Sequence, residues 1–153
     1  MEDEFLVCAY SEDSHRHAML ADDGVTGILY LHAVSEDAAK TGEVEATCFA
    51  YNRVDPIDTT EIQRYRPKPP PIAKGYASKD AVCRTPKSHK WKLKFSTDGT
   101  AVLLTRDGKP WAMVSLVARR GFSKAIEATG PWGNPWSSKV HQATAWDGRS
   151  KPN

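Results

Sequence analysis

Lys90-Trp91-Lys92-Leu93-Lys94-Phe95 alternates apolar and cationic residues without a break. Successive side chains of a strand point to opposite faces, so Trp91, Leu93 and Phe95 share one face and the three lysines the other. Asp98-Gly99 follows, a dipeptide that takes up the positive φ of a tight hairpin turn. Ala101 to Arg106 reads as a second strand, Asp107-Gly108 as a second turn, and Trp111 to Val117 as a third strand. This β-meander sets the fold class.

Toward the N-terminus the pattern is looser. Phe5 to Tyr10 is a short apolar run. Asp23-Gly24 introduces Val25 to Val34, rich in β-branched and aromatic residues, and the loop Ser35 to Gly42 leads into Val44 to Val54. Between the first two runs, Ser11 to Leu20 reads as a short helix, with Ser11 as N-cap and Glu12 and Asp13 in its first turn. In the connecting segment, Arg66-Pro67-Lys68-Pro69-Pro70-Pro71 excludes helix and central strand and predicts polyproline II. A helical turn is expected from Asp58 to Arg64 and another after Ser78. The tail is irregular around Gly130 to Trp136, with a short strand expected from Val140 to Trp146.

The resulting expectation is one globular domain over residues 1–153. It comprises an acidic strand set (1–54), a proline-rich crossover (55–89), a basic meander (90–118) and an irregular Trp/Pro/Gly tail (119–153). Two three-stranded sets with one or two short helices predict a mainly β protein, an antiparallel sandwich or partly open barrel.

Composition bounds the function classes. The 40% hydrophobic and 26% charged content is globular, and no apolar run approaches the roughly 20 residues of a membrane span. The acidic start, Met1-Glu2-Asp3-Glu4, is the wrong sign for a secretory leader, and a cytosolic protein is expected. Three widely spaced cysteines fit neither a disulfide framework nor a zinc ribbon. Cys8 and Cys48 fall in apolar segments and are expected to be buried; Cys83, in a basic stretch, is expected to be exposed.

The net charge of +2 conceals a division. Residues 1–61 hold 14 carboxylates against Arg16, Lys40 and Arg53, a net of −11, whereas residues 62–153 carry +13. Such asymmetry points to a polyanion partner or to charged tails, or to halves that neutralise one another in the fold.

Several constellations are candidates for binding. Lys90, Lys92 and Lys94 would stand about 7 Å apart along a strand, near the repeat of a single-stranded phosphate backbone, and Arg106, Lys109, Arg119 and Arg120 would extend the patch. The same lysines would equally be a solvated strand face that discourages edge-to-edge pairing. Phe49, Tyr51 and Arg53 alternate on one side of a strand, where they would stack on bases or, more simply, pack Phe49 into the core with Tyr51 at its boundary. Trp132 and Trp136 would form an aromatic platform or plug a barrel end, their indole N–H groups meeting carbonyls. His15 and His17, with Glu12 and Asp13, are the closest approach to a metal set, but four well-spaced ligands are lacking and no metal is expected. No nucleophile elbow, phosphate loop, dinucleotide fingerprint or HExxH helix occurs, so neither a cofactor nor a reaction is indicated.

The leading expectation is therefore a non-enzymatic cytosolic domain that binds another protein, its acidic half meeting a basic partner as an immunity or antitoxin protein meets a toxin. The alternatives are a single-stranded nucleic-acid binder using the lysine row, and an enzyme whose dispersed active site would require a deep pocket.

Overall fold

A computed structural model describes residues 4–33 and 42–146. The loop expected over 35–42 lies almost entirely outside these residues. The first sheet is a four-stranded antiparallel meander of β1 (Phe5–Ser11), β2 (Arg16–Asp22), β3 (Thr26–Ala33) and β4 (Val44–Asn52). β2 replaces the helix expected over 11–20. Its period is two: Ala18, Leu20 and Asp22 are buried, whereas His17, Met19 and Ala21 lie on the other face. The Ser-Glu-Asp signal is spent on a hairpin turn instead, where Ser11 Oγ accepts the Ser14 N–H and His15 takes φ 54°.

The second sheet contains β5 (Trp91–Phe95), β6 (Ala101–Arg106), β7 (Lys109–Ser115), β8 (Arg120–Ser123) and β9 (Asn134–Pro135). The meander lies where the alternation places it. Both residues of the Asp107-Gly108 turn have positive φ, at 52° and 84°, the geometry of a two-residue hairpin. The sets are thus of four and five strands rather than three and three. The tail is also more ordered than expected: β8 pairs antiparallel with β7, β9 adds in parallel to β8, and Ser138–Ala143 is a helix, α1, rather than a strand. Ser137 caps α1, its hydroxyl accepting the Val140 N–H.

The two sheets stack on one core drawn from both, including Leu20, Leu29, Leu31, Leu93, Leu104 and Val114. Two bulges meet at the interface. On β4 the register skips Ala50, and on β7 it skips Trp111. The Trp111 indole N–H donates to the Ala50 carbonyl at 2.6 Å, satisfying a group that the sheet ladder passes over. The crossover closes one side through Ile72, Ala73, Ala81 and Cys83, and Asn52 clamps it with hydrogen bonds to both backbone groups of Ile72. A 3₁₀ turn at Thr59–Tyr65 matches the helical turn expected there; a second lies at Pro86–Ser88, and Arg66 is extended at φ −57°, ψ 138°.

Two cysteines are placed opposite to expectation. Cys8 is exposed because β1 turns Leu6, Cys8 and Tyr10 outward, and Cys83 is buried because the crossover folds inward there. Cys48 is buried as expected, and its thiol pKa is pushed up to about 12 by burial.

Candidate functional site

The outer faces of the two sheets differ. That of the five-stranded sheet is roofed: Leu103, Met113 and Phe122 are buried beneath Ala118, Trp136, Val140 and Trp146. That of the four-stranded sheet presents apolar groups to solvent. Register places Leu6, Cys8 and Tyr10 of β1 beside Ala21, Met19 and His17 of β2, and these beside Ile28, Tyr30 and His32 of β3, of which Ile28 is buried. Leu6 is 57% exposed, Tyr10 40% and Val44 49%. Edge-on contact between Tyr10 and His17 (4.8 Å) and a tilted one between Tyr30 and His32 (5.7 Å) hold the aromatic groups in place.

Carboxylates edge this face at one end. The β1–β2 turn contributes Glu12 and Asp13, and Glu43 precedes β4 at the same end of the sheet. None of the three is ion-paired among the described residues. Elsewhere the charge division is partly neutralised: Asp55 pairs with Arg84, Asp58 with Lys74 and Glu61 with Arg64, all across the boundary between the acidic and basic halves. Arg16 binds Glu45 within the acidic half.

The residues expected to bind separate into several places. Lys92 and Lys94 lie on the outer face of β5, but Lys90 precedes the strand, its backbone tied to Asp107. Arg106 does not extend the row. It faces inward, 3.8 Å from the centre of the Trp111 ring, a cation–π contact. Lys109 is exposed at the hairpin, and Arg119 and Arg120 line a cleft of about 250 Å³ with Glu45 and Thr47.

Phe49, Tyr51 and Arg53 do not form a shared stacking surface. The bulge at Ala50 resets the alternation, so Phe49 is half-buried and Tyr51 wholly buried, the reverse of the expected order. Tyr51 stacks on Trp91 at 5.3 Å, and its hydroxyl donates to Asp22 Oδ2 at 2.5 Å. Arg53 Nε reaches the same oxygen at 2.9 Å, and Gly24 N–H donates to Asp22 Oδ1. Burial, then the Asp22 hydrogen bond, hold the Tyr51 phenol far above its ordinary pKa. The network is a lock between strands.

Trp132 is buried, donates to the Pro70 carbonyl and packs on Tyr76, whereas Trp136 is half-exposed. His15 lies in a turn and His17 on the exposed sheet face; among the described residues no three His, Cys, Asp or Glu are arranged to hold a metal. A wider groove of about 510 Å³ runs beside α1, lined by Ala118, Val140, Ala143 and Asp98 among others. The outer face of the first sheet is hidden from sequence reasoning because Ser11-Glu12-Asp13 signals a helix start ahead of β2. Once Ala18, Leu20 and Asp22 are seen to alternate, Met19 and Tyr30 fall into place beside Cys8. No protein-family model, curated protein or solved structure matches the chain.

Proposed function

We propose that the chain is a non-enzymatic binding domain that docks a basic protein on the outer face of its four-stranded sheet. The observation that carries this reading is the exposed row Leu6, Cys8 and Tyr10, flanked by Met19 and Tyr30 and edged by Glu12, Asp13 and Glu43. An apolar and aromatic centre with a charged rim is the usual anatomy of a protein interface, and tyrosine is prominent among the residues that dominate its energy. The unpaired carboxylates choose the sign of the partner. Arginine or lysine side chains would meet the rim, and Tyr10 offers a ring face for a cation. The carboxylates would also speed encounter in a salt-dependent manner.

The test is affinity capture with the intact chain, followed by direct titration of each purified partner against the wild type and two variants. Leu6→Asp combined with Tyr10→Ala is expected to weaken binding tenfold or more, about 1.4 kcal/mol. Lys92→Glu on the opposite sheet should leave it unchanged. Partners that are acidic, or whose affinity survives the Leu6/Tyr10 change, contradict the reading.

A further inference from the structure

A second site is assembled where the tail crosses the five-stranded sheet, from residues that lie far apart in sequence. His141 of α1 sits between two indoles, its ring 5.4 Å from Trp136 and 5.7 Å from Trp146. All three are half-buried. Trp146 is fixed by its indole N–H bond to the His141 carbonyl and by a bridge between Trp146 and Ser96.

Cations flank this aromatic shelf on both sides. Lys92 and Lys94 project from β5 at one edge of the sheet. Lys124 follows β8, three strands away, its ammonium 5.5 Å from the Trp136 ring. Strand spacing puts the two groups about 14 Å apart across the sheet. Lys94 and Lys124 both act on His141, lowering its pKa after burial and favouring the neutral ring. Among the described residues no carboxylate pairs with Lys92, Lys94 or Lys124.

From this juxtaposition we infer a binding site for single-stranded nucleic acid: bases stack on Trp136 and Trp146, which bracket His141, and phosphates rest on Lys92, Lys94 and Lys124. Stacking needs exposed π faces and tolerates any base, and the flanking ammonium groups supply the sequence-independent attraction of the backbone. The geometry favours single strands because a duplex keeps its base faces stacked inside. The site lies on the sheet opposite the proposed protein-docking face, so either can fail without the other.

The test is titration of the full chain with a 15-nucleotide oligo-dT, read by tryptophan fluorescence. Trp91, Trp111 and Trp132 are buried, so quenching reports Trp136 and Trp146. Three phosphate contacts, at a slope of about −0.7 each, predict roughly 20-fold weaker binding on going from about 50 to 200 mM salt. Lys92→Glu with Lys124→Glu should reduce affinity at least tenfold with an unchanged melting curve. Trp136→Leu should remove most of the quenching; should that variant fail to fold, the lysine pair still decides. Absence of binding at low salt overturns the site. So does binding indifferent to both lysines, or equal affinity for inorganic polyphosphate without quenching.

Discussion

Asp22 carries a large share of the order in the first sheet, because one buried carboxylate accepts from Tyr51, Arg53 and the Gly24 N–H. Removing a single donor strands part of a buried charge. Tyr51→Phe is therefore expected to cost about 1–3 kcal/mol in urea unfolding. The pH dependence has a definite sign. A phenol whose folded pKa exceeds that of the unfolded chain, about 10, contributes stability that is complete below that value and declines as pH rises past it. Wild-type stability should thus fall more steeply above pH 10 than that of Tyr51→Phe, and parallel curves would remove Asp22–Tyr51 coupling from the account. Thiol reactivity offers a second residue-level check. One equivalent of a thiol reagent should react in the native protein, at exposed Cys8, with Cys48 and Cys83 reacting only on unfolding.

Among the elements, β4 and β7 are joined by their irregularities. The skipped residues Ala50 and Trp111 face one another, and the indole supplies the hydrogen bond that the ladder omits. Trp111→Phe keeps most of the apolar volume but orphans the Ala50 carbonyl, with an expected loss of about 1–3 kcal/mol measured by denaturant midpoint. Gly27 makes a comparable demand on β3. A Cβ there would stand 2.2 Å from the Tyr51 ring, so Gly27→Ala must displace the ring or the strand. A loss of about 1–3 kcal/mol is expected, and a neutral result by thermal melting would mean that Tyr51 is less tightly seated. Elements with an uninterrupted period were legible in the sequence: Trp91 to Phe95 alternates, and Asp107-Gly108 requires a tight turn. β2 was not, because Ser11-Glu12-Asp13 is chemically the same signal at a helix start and at a hairpin turn. Nor was Tyr51, since a bulge leaves no mark in composition yet exchanges the two faces of everything beyond it.

At the scale of the molecule, the charge division resolves into three parts. Crossover carboxylates are neutralised by bases of the second half, Glu12, Asp13 and Glu43 are left beside an apolar sheet face, and Lys92, Lys94 and Lys124 surround an aromatic shelf on the other sheet. Part of this was legible, since the lysine row and the acidic half are plain in the linear order. The sites themselves were not. Lys124, His141 and Trp146 meet only because the tail folds back over β6 and β7, and Leu6, Met19 and Tyr30 become neighbours only through strand register.

Cys8 lies in the middle of the proposed docking face and is the exposed one of the three thiols, so it reports occupation of that face without any mutation. The rate of Cys8 alkylation should be measured with and without a saturating amount of a purified basic partner. Strong protection of Cys8, relieved by high salt, is the predicted result. An unchanged alkylation rate in the fully formed complex would place the partner elsewhere and contradict the assignment of the four-stranded sheet as the docking face.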